Sequence, residues 1–199
     1  MRSPRLHKGF AMGYQLRSAR FLAQDALRAH LCDGCAAVDC TAGNGHDTCF
    51  LAELCGSTGH VYAFDIQEDA LASAAALLQR EGLSGRVTLI HDGHQNILRH
   101  LSRPVDAIMF NLGWLPGGDK SVTTLWETTR TAVSDALTLL NKGGVMTVCV
   151  YPGHREGNVE RENLGALLSG LRPQEYNVLH SVFANAGPGA PECWIIQKQ

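Results

Sequence analysis

The stretch Val38-Asp-Cys-Thr-Ala-Gly-Asn-Gly-His-Asp-Thr48 carries the densest run of chemistry-bearing residues in the chain. An acid, Asp39, precedes a glycine turn at Gly43 and Gly45, and His46, Asp47 and Thr48 open a helical pattern. Glycine lets backbone approach a ligand closely, and the free N–H groups of a helix start face it, so this is the form of a nucleotide-cofactor loop. Asp65 lies about 20 residues past the turn, where a carboxylate accepts hydrogen bonds from ribose hydroxyls. Both NAD and S-adenosylmethionine carry an adenosine, so that acid does not separate them. The loop does. A dinucleotide fingerprint, G-x-G-x-x-G/A, needs a third small residue where this chain has Thr48, and Asp47 would face a pyrophosphate unfavourably. A cofactor with an ammonium, a sulfonium and no phosphate suits Asp39 and Asp47 better. The expectation is S-adenosylmethionine, with Asp39, Thr41, Gly43, Asn44, Gly45, His46, Asp47, Thr48, Asp65 and Gln67 as candidate contacts.

Three further polar clusters follow apolar runs. His91-Asp-Gly-His94 could offer two metal ligands, but no third stands at suitable spacing. Contact of His91, Asp92 and His94 with the adenine or ribose is expected instead, and no metal. Asn111-Leu-Gly-Trp-Leu-Pro-Gly-Gly-Asp-Lys120 falls where methyltransferases acting on nitrogen place an Asn-Pro-Pro-aromatic turn, whose amide oxygen holds an amine N–H and aims its lone pair at the methyl. Asn111 is thus a candidate for both cofactor contact and catalysis. Trp114 could stack on a base or simply pack. Asp119 or His154 could take up the proton, although Asp119 serves equally as a helix cap. Leu112, Gly113, Lys120 and Tyr151 complete the candidate acceptor contacts.

Elements of alternating type must position these clusters. Apolar spacing predicts a helix over Tyr14–Leu31, a strand ending at Asp39, a helix over Phe50–Leu54 and a strand over His60–Phe64. A helix over Ala70–Arg80, a strand over Arg86–Ile90 and a short helix over Ile97–Leu101 come next. Val105–Phe110 reads as a strand and Thr123–Leu140 as a long helix stopped by Asn141-Lys-Gly-Gly144. Val145–Val150 is a fifth strand, Asn158–Leu171 a helix, and Tyr176–Phe183 and Cys193–Gln197 two strands with no helix between them. Five strand–helix alternations imply a doubly wound parallel α/β sheet, and the last two strands an antiparallel hairpin at its edge, seven strands in all. Every polar cluster then follows the carboxyl end of a strand, where such sheets bind ligands.

The 199 residues, 45% hydrophobic, suit one domain over 1–199 with a basic leader at 1–13. No apolar run approaches the roughly 20 residues of a membrane span, and no secretory signal is readable. Seven scattered cysteines, an odd number, favour reduced thiols in a cytoplasmic protein, and Cys32-Asp-Gly-Cys35 has no second pair at zinc spacing. Net charge is −2, although Arg2, Arg5, Lys8, Arg17 and Arg20 meet no acid before residue 21.

Taken together, Asp39–Thr48, Asp65-Ile-Gln67, Asn111–Lys120 and Tyr151-Pro-Gly-His154 resemble one family from residue 20 to residue 197. It is the small group labelled rRNA methylases and associated with methylating 5-aminomethyl-2-thiouridine at the tRNA wobble position. The resemblance implies a Rossmann-like class I methyltransferase, S-adenosylmethionine as donor, and an amine on a tRNA anticodon-loop base as acceptor. It further implies that Asn44, His46, Asp47, Asp65, Gln67, His91 and Asp92 line the cofactor and that Asn111, Asp119, Lys120 and His154 surround the acceptor. Methylation of rRNA or of a small-molecule amine, and a non-catalytic RNA-binding module, are the rival readings. The oligomeric state, a homodimer included, is left open.

Overall fold

The computed structural model describes residues 18–199; the expected leader at 1–13 and the start of the first helix lie outside them. The elements run α1 (Ala19–His30), β1 (Ala36–Asp39), α2 (His46–Cys55), β2 (His60–Asp65), α3 (Glu68–Arg80), β3 (Val87–His91), α4 (Ile97–His100), β4 (Val105–Asn111), α5 (Trp126–Leu139), β5 (Leu140–Val150), α6 (Arg155–Ser169), β6 (Tyr176–Ser181) and β7 (Glu192–Lys198). All seven strands join one sheet in the order β3-β2-β1-β4-β5-β7-β6. The first five are parallel, and β7 pairs antiparallel with both β5 and β6. The doubly wound sheet and its antiparallel edge hairpin are as expected.

Alternation along the strands divides the core into two layers. Val38, Ile108 and Phe110 face α5 and α6 through Ala132, Val133, Ala136 and Leu164, while Ala37, Ala107 and Met109 face α1 and α2 through Ala23, Leu27, Leu51 and Ala52. The chain turns to opposite sides of the sheet after β1 and after β4, which are neighbours. A crevice opens at their carboxyl ends for that reason.

Several element ends shift by two to four residues, α2 starting at His46 and α6 at Arg155, and two departures have a distant cause. The Asn141–Gly144 segment does not separate helix from strand. It lies inside β5 as a bulge, with Val105 opposite Leu140 and Ala107 opposite Val145, and Asn141 Nδ2 donates to Asp106 Oδ1 at 2.7 Å. Helix α5 starts at Trp126 rather than Thr123. Thr123 bridges to Trp114 in extended conformation, Thr124 N–H donates to the Gly113 carbonyl at 3.0 Å, and Gly113 N–H donates to Thr124 Oγ1 at 2.8 Å. Those bonds outcompete an extra helical turn.

Candidate active site

A cavity of about 710 Å³ occupies the crevice, walled by the turns after β1, β2, β3, β4 and β5. Its floor is the glycine turn. Gly43 N–H donates to Asp65 Oδ2 at 2.8 Å, and Gln67 N–H donates to the other Asp65 oxygen at 2.9 Å, so the acid at the end of β2 is aimed by backbone from both sides. Gly45 holds φ +83°, and a Cβ there would sit 2.7 Å from Ala74 Cα. This glycine brings the loop against α3. It does not face the ligand.

Asp39 is fully buried, accepting from Thr48 Oγ1 at 2.6 Å and from Thr41 N–H at 3.1 Å. Burial, with the nearby Asp47 charge adding to it, pushes its carboxyl up to about 7. Asp39 and Thr48 therefore brace the loop from beneath, and neither they nor Gly45 line the cavity. Asp92 is held on the opposite wall by Gly93 N–H, Asn96 Nδ2 and His100 Nε2, each at 2.8 Å. The His100 and Asn96 bonds keep its carboxyl down at about 2. His94 is buried beside it, its Nδ1 3.2 Å from the Cys40 carbonyl, and burial lowers its pKa, which favours the neutral ring. His91 departs from expectation: it points to the Ile66 carbonyl at 3.0 Å, on the outside. Among the described residues no cluster of metal ligands forms.

The wall beside Asn111 is organised around Asp47. Its Oδ1 receives Gln24 Nε2 at 2.6 Å and Arg20 Nη2 at 2.9 Å; its Oδ2 receives Arg20 Nε at 2.9 Å and Asn111 Nδ2 at 2.7 Å. A carboxylate only accepts, so the bond to Asp47 identifies the Asn111 nitrogen and turns its oxygen the other way. That oxygen, Asn111 Oδ1, is buried without a hydrogen-bond partner. Asn111 N–H meanwhile donates to Thr41 Oγ1 at 2.8 Å, tying β4 to the donor loop.

Beyond Asn111, the Leu112-Gly113-Trp114 backbone hangs from a buried carboxylate. Thr124 Oγ1, which accepts from Gly113 N–H, donates to Glu160 Oε2 at 2.8 Å, and Thr129 Oγ1 donates to Glu160 Oε1 at 2.5 Å. Glu160 is fully buried, and burial raises its pKa. Trp114 lies against the His154 ring, centroids 4.4 Å apart, with Lys120 Nζ 5.4 Å from the indole centroid.

Comparison with known proteins decides the family. A family model described as "Putative rRNA methylase" matches residues 61–197. The chain belongs to this family. A structure of the same description from Clostridium thermocellum superposes with a TM-score of 0.91 at 40% identity, covering 94% of this chain and all of that one. SMU.1697c of Streptococcus mutans, solved in complex with SAH, superposes at 0.84 with 34% identity, covering 93% and 100%. The chloroplastic tRNA (mnm(5)s(2)U34)-methyltransferase of Arabidopsis thaliana is 39% identical over 145 residues, 67% of this chain and 53% of that protein. The chain thus spans about half the length of that plant relative.

This rRNA-methylase family member is an S-adenosylmethionine-dependent methyltransferase, and the residues present fit that donor. Among the described residues the one lysine or arginine lining the cavity, Arg20, is committed to Asp47, which leaves none of them free for a pyrophosphate. Asp65 and Ile66, with Gly93 and His94, would hold the adenosine half; the turn from Thr41 to Asn44 would hold the methionine half. The structure also brings His46, Gln67, Asp92, Asn111, Leu112, Gly113, Trp114 and Tyr151 to the cavity wall. Asp119 and Lys120 stay outside it: Asp119 Oδ1 accepts from Ser121 N–H at 2.8 Å, closing a surface turn. That bond lowers the Asp119 pKa, weakening it as a base. His154 caps α6, its Nδ1 accepting from Gly157 N–H at 3.2 Å, while its Nε2 is buried without a hydrogen-bond partner among the described residues.

Sequence reading missed Arg20, Gln24 and Glu160. Each left a signal. Arg20 and Gln24 stand four apart beside the apolar row Ala19, Ala23, Leu27, and Glu160 continues the buried row of Leu164 and Leu168. A polar residue on a core-facing helical row needs a buried partner.

Proposed function

We propose that the chain methylates the aminomethyl nitrogen of a tRNA wobble uridine, converting 5-aminomethyl-2-thiouridine to its methylaminomethyl form. One observation carries the reading: a lone, buried amide oxygen, Asn111 Oδ1, set between the donor loop and Trp114 and locked by Asp47. A buried acceptor without a donor stands ready for an N–H from a ligand. An amine that donates there keeps its lone pair for the methyl. S-adenosylmethionine, when bound, supplies that methyl as an electrophile on a sulfonium. The chain's own contribution is alignment and exclusion of water, and no covalent intermediate is needed. Trp114 offers an aromatic face for the uracil ring, with Lys120 beside it for a neighbouring phosphate. With Asp119 held in a surface turn and His154 capping α6, the product's extra proton leaves with the released amine. The name of the Arabidopsis relative, a tRNA (mnm(5)s(2)U34)-methyltransferase, supports this acceptor. The same reading takes the whole chain as one cytoplasmic domain that docks on an anticodon loop.

Nucleoside mass spectrometry of tRNA from a deletion strain tests it. The aminomethyl nucleoside should accumulate and its methylated product disappear. An unchanged profile, with methyl transfer to rRNA or to a small amine instead, would overturn the proposal.

A further inference from the structure

We infer that Arg20 is a specificity-determining positioning residue: by cancelling the Asp47 charge it makes the acceptor pocket select the neutral amine over its ammonium form. The inference rests on the amine acceptor proposed above.

An aliphatic amine is mostly protonated near neutral pH, and an ammonium has no lone pair for a methyl group. A carboxylate at the acceptor end would hold it in that dead form. Asp47 stands there, bound to the same amide that presents Asn111 Oδ1. Yet its oxygens are taken: Arg20 forks onto both, Gln24 fills Oδ1 and Asn111 fills Oδ2. With Arg20 in place the cluster has no net charge, and its buried acceptor without a partner among the described residues is a neutral amide oxygen, Asn111 Oδ1. Other titratable groups face this cluster, and they are the same in every variant compared below. Burial raises the Tyr151 phenol, and a hydrogen bond with Cys193 together with burial raises the Cys149 thiol; Asp39, titrating at about 7, is sealed beneath Thr41 and Thr48, and Asp65 is held by the Gly43 and Gln67 amides. Arg20 touches Asp47 alone among these, so it acts through that residue. Arginine suits the role because its fork spans both oxygens and it stays charged.

The test is equilibrium binding, without donor, of an anticodon stem-loop carrying 5-aminomethyl-2-thiouridine, measured against pH and referred to the same RNA with unmodified uridine. For the wild type, the preference for the modified RNA should fall about tenfold per pH unit below the amine pKa, because only the neutral form is taken. Arg20→Gln should abolish that fall and bind the modified RNA best when it is protonated. Arg20→Lys, which keeps the charge, should retain the wild-type slope. Arg20→Gln/Asp47→Asn, which removes charge and countercharge together, should restore it, and serves alone if the single variant does not fold. A wild-type slope in Arg20→Gln, or a lost slope in the double variant, would overturn the inference. Wild-type protein that binds modified and unmodified RNA alike at every pH would instead sink the proposed acceptor, and this inference with it.

Discussion

Replacing Asp39 by Asn should make the protein more stable, and only above acidic pH. The carboxyl is fully buried, near the charges of Asp47 and Asp65, and titrates at about 7 in the folded chain against an ordinary 3.8. The folded state therefore holds the proton through a window where the unfolded chain has lost it. Stability tied to that proton is complete below about pH 4 and drains away as pH rises to about 7. At about 1.4 kcal/mol per pH unit, the window is worth about 4 kcal/mol. Asparagine keeps the local bonds: Thr41 N–H still donates to Oδ1, and Nδ2 can donate to Thr48 Oγ1 in place of the bond it now accepts. The variant does not titrate. Urea denaturation of the two proteins in matched buffers should show the Asp39→Asn advantage growing by about 4 kcal/mol from pH 4 to pH 8, or about 8–16 °C in thermal midpoint for a chain of this size. A difference that does not change with pH would refute the reasoning, because it would mean that Asp39 is ionised in the fold at no cost.

Other perturbations probe the remaining parts of the site. Gly45→Ala forces a left-handed backbone onto a residue with a side chain and drives its Cβ to 2.7 Å from Ala74 Cα. A loss of about 3 kcal/mol should appear in the denaturant midpoint, and a change below about 0.5 kcal/mol would show that α3 can back away. Glu160→Leu strands the Thr124 and Thr129 hydroxyls and should cost about 2–4 kcal/mol; hydrogen exchange at the Gly113 amide should quicken, and unaltered protection there would contradict the suspension of the turn from α6. Trp114→Ala should weaken binding of the RNA by about 1–3 kcal/mol while calorimetric affinity for S-adenosylmethionine stays within about twofold. Equal losses for both ligands would mean that the indole packs the donor half.

The fold was legible because its signals are local. Period-two and period-3.6 patterns reveal strands and helices one at a time, and the rule of right-handed crossovers assembles them. Failures occurred where a distant contact overrode a local cue. Asn141-Lys-Gly-Gly144 has the composition of a helix stop, but pairing with β4 and the Asn141–Asp106 bond keep it in the sheet. Thr123–Leu125 reads as helix until the Gly113 backbone claims Thr124.

The same division runs through the site. Gly43, Asp65 and the strand-end clusters are readable because a doubly wound sheet brings the carboxyl ends of its five parallel strands to one edge, whatever the side chains do there. Roles within that crevice are another matter, since they depend on which polar group spends its lone pairs on which neighbour. Asp39 and Asp47 look alike in sequence, two acids flanking one turn, and both were assigned to the cationic donor. The structure separates them by partner: Asp39 is closed off by two neighbours from its own loop, Asp47 by a guanidinium 27 residues upstream and an amide 64 residues downstream. Neither is left as a free carboxylate. What the pair does instead is to fix the loop from below and the acceptor amide from the side, and only the second task needs α1. That is why a helix showing no nucleotide-binding motif supplies the residue that balances the Asp47 charge beside Asn111.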